Sequence, residues 1–217
     1  MKKNKTFLIL CSAIFLIVAI TYQFSLFSTL QNKFTDRFFL KRSPEAKIII
    51  IAIDDISLAE IGQWPWPRST FAKILPQLDN AKAVGIDINF SESSKLGIDD
   101  DKTLVKAFDE SKTKVVLPVQ LRSDDELSVK SLDMFTAHTE VGFVNVPVSS
   151  DNVVRHITNN RGDIKSFSAV LFGGNTPYNN RINYTGPAKN ILTLSFIDVY
   201  NNKIPPSFFK DATVLIG

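Results

Sequence analysis

From Thr6 to Asn32 the chain carries no Asp, Glu, Lys or Arg, an uncharged run of 27 residues that limits the fold more sharply than anything after it. Its centre, Phe7 to Phe27, reads FLILCSAIFLIVAITYQFSLF, where only Ser12, Thr21, Gln23 and Ser25 are not apolar. At ~1.5 Å per residue a helix of this length spans a hydrocarbon layer of ~30 Å. Lys2, Lys3 and Lys5 stand before it, and the positive-inside rule keeps such residues in the cytoplasm while the rest of the chain goes out. A cleaved signal peptide also begins with lysines ahead of an apolar core. The run is long for one, however, and Ser25 to Leu30 offers no small-x-small cleavage site. The expected organisation is a cytoplasmic N-terminus over 1–6, a transmembrane helix over 7–27 and an extracytoplasmic domain over 31–217. The chain is thus expected to cross the inner membrane once, with its domain facing the periplasm or exterior.

Charge and composition narrow the domain's chemistry. Lys and Arg total 25 against 22 Asp and Glu, a net charge of +3 that the three N-terminal lysines supply alone. The domain is therefore neutral and lacks the field that draws a protein to nucleic acid. Cys11 is the only cysteine, which precludes an internal disulfide and a cysteine zinc site. With His138 and His156 the only histidines, no cofactor or metal set is expected. A 44% hydrophobic content excludes a disordered chain.

Strand-like and helix-like stretches alternate after residue 31, which predicts an α/β fold with a mixed, mostly parallel sheet flanked by helices. Lys47 to Ile53 is a β-branched run that suits a strand buried on both faces. Phe71, Ile74, Leu75 and Leu78 share one helical face behind Ser69 as N-cap, with Pro76 bending the far end. Ala83 to Phe90 predicts a second strand, and together these make a βαβ unit with a right-handed parallel crossover. Asp101 caps a helix bearing Leu104, Ala107 and Phe108, and Val115 to Val119 predicts a third strand. Gly142 to Val146 and Val153 to Ile157 predict an antiparallel hairpin with its turn at Ser149 to Asn152. Further strands are expected at 182–184 and 212–216, and a short helix near Ser166 to Phe172.

Ligands of open α/β sheets bind at the carboxyl ends of parallel strands. Asp54 and Asp55 close the first strand there, and Asp87 and Glu92 lie at and beyond the second. If the two strands neighbour each other, up to four carboxylates converge there, which would suit a hard cation or general acid/base work. The preferred reading is plainer: Asp54 and Asp87 hold loop amides or Arg68. The stretch GQWPWPR (Gly62 to Arg68) holds both tryptophans of the chain, stiffened by Pro65 and Pro67. Trp64, Trp66 and Arg68 could clamp a ligand; the preferred alternative is that the indoles plug the sheet while Arg68 pairs with Asp54 or Asp87. Asp99 to Asp101 reads as the solvated start of a helix, and Gly173-Gly174 as a turn.

The pieces DRF (Asp36 to Phe38), IIAIDDISL (Ile50 to Leu58), GQWPWPR and AVGIDINFSE (Ala83 to Glu92) together resemble CHASE domains of the second class. VVLP, GFVN, DNVVR (Asp151 to Arg155), INYTGP and TVLIG follow in the same order. The resemblance covers residues 34–217. It implies a non-catalytic extracellular sensory domain, usually followed by membrane helices and a cyclase, histidine kinase or diguanylate-cyclase output. It implies signal transduction of the two-component or cyclase-associated type, without a defined ligand. The stretch from Arg155 to Pro177 is shorter than in that family. The chain stops at Gly217 where the family continues, which is read as C-terminal incompleteness. The leading expectation is a membrane-anchored sensory module in a bacterial signalling protein. It would answer to a small-molecule or protein stimulus through Asp54, Asp55, Trp64, Trp66, Arg68, Asp87 and Glu92, with a homodimer open. A carboxylate-based metal hydrolase and a non-catalytic envelope interaction module stay open beside it.

Overall fold

The computed structural model describes residues 2–23, 28–38, 47–122, 127–173, 180–187 and 190–217. Among the described residues seven strands make one sheet. They are β1 (Ile48–Ala52), β2 (Ala83–Ile86), β3 (Lys114–Leu121), β4 (Leu127–Lys130), β5 (Glu140–Phe143), β6 (Leu192–Ser195) and β7 (Thr213–Ile216). Their order is β6-β1-β7-β2-β3, with β4 and β5 both on β3. Val119 of β3 faces Lys130 of β4 and Phe143 of β5, so β4 continues the β2 side while β5 forms the opposite edge. All pairings are parallel except β3 with β4.

The expected mostly parallel α/β sheet is therefore present. β1 and β2 are not neighbours, because the last strand of the chain, β7, lies between them. The expected burial of β1 on both faces also needs correction. Ile49 and Ile51 are fully buried, whereas Ile48, Ile50 and Ala52 on the other face are half-buried. The reason is unequal cover. The main core lies on the Ile49 face beneath α3 (Asp55–Ile61), α4 (Arg68–Ile74), α5 (Ile98–Glu110), α6 (Asp133–Thr136) and α8 (Phe196–Tyr200). The opposite face is covered over β2, β3 and β5 by α7 (Phe167–Phe172).

Phe71, Ile74, Leu75 and Leu78 are all buried, as their spacing predicts. Pro76 ends the α-helix early: α4 stops at Ile74 and a 3₁₀ turn, Leu75–Leu78, carries the last two. Pro67, not Ser69, is the N-cap of α4. Ser166 caps α7 by accepting from Ala169 N, and Gly173, expected in a turn, is a turn residue that ends the helix in the left-handed conformation. The predicted hairpin is only partly present. A Val148–Val154 bridge closes the turn at 149–152, but the Gly142 stretch pairs with β3, and His156–Ile157 pairs with Asn180–Arg181. The strand predicted at 182–184 thus lies at Asn180–Arg181.

At the front, α1 (Lys2–Gln23) is followed by α2 (Ser28–Asp36). The apolar side chains of α1 from Phe7 to Val18 are exposed. Among the described residues no helix is long and apolar enough to cross a membrane. The described side chains of α1 run unbroken over 7–23, about 26 Å of helix against a layer of ~30 Å. Residues 24–27 of the expected span, and Gly174 to Pro177, lie outside the described residues.

Candidate functional site

The carboxyl ends of β1, β7 and β2 lie side by side. Ile53 N donates to Gly217 O (2.9 Å) and Asp87 N to Ile216 O (2.8 Å), so Asp54 and Asp87 leave the sheet on opposite sides of β7. Asp54 does not face the cleft described below. It caps α3, accepting from Ser57 N (2.9 Å), Ser57 Oγ (2.5 Å) and Ser195 Oγ (2.9 Å). The Ser57 hydroxyl bond outweighs burial and holds its carboxyl below the usual range. Asp55 and Asp87 are exposed. Among the described residues no three His, Cys, Asp or Glu side chains gather as a metal site, so the four-carboxylate convergence does not form.

α3 ends at Gly62, whose φ of 112° suits a residue without a Cβ. Its carbonyl accepts from Trp66 Nε1 at 2.7 Å, which turns the Trp66 indole inward. Trp66 is 3% exposed and packs against Phe196 at 5.0 Å and Phe71 at 6.2 Å, so it is the plug the sequence suggested. Trp64 is different. It rests on Trp66 (5.6 Å) and Phe71 (6.2 Å) but remains 42% exposed.

The loop then enters α4, and Arg68 turns into the core over Phe90 (4.7 Å) and Phe135 (5.8 Å). Its partner is not Asp54 or Asp87. Nε donates to the fully buried Asp101 (3.2 Å) and Nη2 to the Glu92 carbonyl (2.6 Å). Asp101 also accepts from Ser94 N, at 3.0 Å to one oxygen. Pro67 gives α4 no side-chain cap, and Asp100 of α5 supplies one from outside, accepting from Arg68 N (2.7 Å) and Ser69 N (2.9 Å). Burial pushes the Asp100 carboxyl up, but bonds from Ser94 Oγ and these two amides prevail and hold it low. Of the acidic triplet read as solvated, only Asp99 is; a buried guanidinium needs a carboxylate, and Asp101 supplies it.

This framework borders a cleft of about 350 Å³ beyond the carboxyl end of β2. Trp64, Trp66, Arg68 and Glu92 line it, four of the seven predicted residues; Asp54, Asp55 and Asp87 do not. Sequence reasoning missed the opposite wall, in which Asn89, Ser91, Ser93 and Lys95 add polar groups. The signal available was the serine-rich SESS after β2 (Ser91 to Ser94), whose loop the Arg68–Asp101 pair ties back to α4. A larger groove of about 520 Å³ runs between α4 and α5 and contains none of the predicted residues.

A family profile described as the CHASE2 domain matches residues 12–217. No curated protein and no solved structure matched the chain. With nearly its whole length matched, the chain belongs to the CHASE2 domain family, sensory domains associated with signalling proteins.

Proposed function

We propose that this protein is a membrane-anchored extracytoplasmic input module of a bacterial signalling protein. It binds a small molecule at the indole-floored cleft and carries no catalytic activity of its own. The observation that carries the site is Trp64: a large aromatic face left 42% exposed over a cleft whose neighbouring Trp66 and Arg68 are buried and bonded. A rigid aromatic surface beside a few convergent polar groups is what a small-molecule site requires. Trp64, Trp66, Arg68 and Glu92 are the binding residues in this reading; Asp54, Asp55 and Asp87 serve the sheet edge next to it. The anchor rests on the 27-residue uncharged run, its leading lysines and the exposed apolar surface of α1.

Both tryptophans stand at this one cleft, so intrinsic fluorescence reports its occupancy directly. A metabolite screen on the purified chain is expected to yield compounds that shift emission and block acrylamide quenching of Trp64. Trp64→Phe removes that response while the melting curve stays native. Hits that stabilise the protein without touching the fluorescence, in both forms, would move the site elsewhere. A periplasm-active reporter fused after Gly217 is expected to be active; an inactive reporter on a stable membrane-bound fusion would reverse the orientation.

A further inference from the structure

A second charge cluster, apart from the cleft, joins two motifs that the function above does not use. Arg155, from DNVVR, has a side chain 2% exposed and serves two carboxylates at once. Nη1 and Nη2 donate to Asp151 at 2.6 and 2.8 Å. Nε and Nη2 donate to Asp36, from DRF, the closest bond being 2.6 Å. Asp36 is the last residue of α2, and Arg181 Nη2 reaches the same turn through Thr35 Oγ1 (2.8 Å) and Asp36 (3.5 Å). Two guanidiniums therefore meet the carbonyl end of a helix, where cations are favoured.

Both arginines come from one small platform. His156–Ile157 pairs with Asn180–Arg181, Ile182 N donates to Arg155 O (2.7 Å), and the Tyr184 hydroxyl donates to Val154 O. Two guanidiniums facing two carboxylates leave the cluster neutral, so it is built as a fastening rather than as an anion site. A planar five-donor fork can hold two carboxylates on two edges, which a lysine cannot do.

We propose that Arg155 is a positioning residue that couples the sensory domain to α2, so that a rearrangement of the 148–157 segment is passed to the helix following α1. The structure holds α2 in the bonded pose; breaking the Asp36 bonds would release it, and a bonded and a released arrangement are the two states that coupling needs. That the signal continues into a membrane rests on the anchor reading above; the clamp itself does not.

The test uses the full chain in nanodiscs, with Cys11→Ser and nitroxide labels at the exposed positions Lys33 and Lys82. Asp36→Asn is expected to broaden the label distance and to speed amide exchange in α2 at least tenfold, with the strands of the sheet unchanged. Coupling is reciprocal, so the same variant is expected to speed exchange over 149–157 as well. Arg155→Gln is expected to do both, and Arg155→Lys to restore neither fully. If Arg155→Gln fails to fold, Asp36→Asn still decides, because that side chain is partly exposed. Unchanged distance and unchanged α2 exchange in folded Asp36→Asn would overturn the proposal. Loosened α2 with 149–157 unaffected would overturn the coupling too. An intracellular reporter result alters only the membrane reading and leaves these outcomes as they stand.

Discussion

At the scale of single residues, the two buried arginines show how much of the site is fixed by charge. Arg68 neutralises an Asp101 that has no contact with solvent. Arg68→Ala leaves that carboxylate unpaired and is expected to cost about 3–5 kcal/mol in urea unfolding, with Arg68→Lys falling between it and the native chain. Arg155 instead acts on pH. Its bonds depress Asp36 and bring Asp151 to about 2. A carboxyl lowered in the folded state stabilises above its unfolded pKa of ~3.9, and that stabilisation is lost only as pH falls through the folded value. Amide protection of α2 is therefore expected to be the same at pH 8 and pH 5 and to fall between pH 4 and pH 2; a loss by pH 5 would contradict the assignment. The need for a carboxylate beside Arg68 was legible in the sequence. Its identity was not, because Asp101 lies 33 positions away and its packing follows from how α4 and α5 meet.

Among the elements, the strand and helix cores were legible where a run of apolar residues had one period, as in β1, β2, β3, β7 and the face of α4. Short elements set by partners were not. β5 was read as a hairpin arm because nothing in GFVN says that β3 is its neighbour. α3 and α8 were missed because each is too short to show a period, being fixed by Asp54 bonded to Ser57 and Ser195. The glycines of β2 and β5 have a packing reason that period alone cannot reveal. A Cβ on Gly142 would stand 2.5 Å from the backbone Cα of Phe167, while one on Gly85 would meet only the ends of the Phe167 and Leu171 side chains at 2.7–2.9 Å. Side chains can give way and the start of a helix cannot. Gly85→Ala is expected to cost about 1–3 kcal/mol and Gly142→Ala more, both measured by denaturant unfolding. The reverse order would mean that α7 does not pack on β5 as described.

For the whole molecule, the decisive fact is that the last strand in the sequence is central in space. β7 is hydrogen-bonded to β1 along Ile48–Ile51 and to β2 along Ala83–Ile86, and it buries Thr213, Val214 and Ile216. Without it, β6–β1 and β2–β3 with their attachments become two separate groups with facing, unpaired edges. The sequence announced β7 as a core strand but not its place, since strand order depends on contacts between residues some 165 positions apart. Such long-range closure is entropically costly and yields no partial sheet with a complete core. α1 stands at the other extreme, as none of its described side chains is buried. Removing residues 1–23 is therefore expected to leave the cooperative unfolding of the sheet intact. Removing 213–217, far fewer residues, is expected to abolish it and expose dye-binding apolar surface. A sharp native-like melt in the second deletion would show that β1 and β2 can pair directly, and the topology that sets Asp54 and Asp87 on either side of β7 would then be wrong.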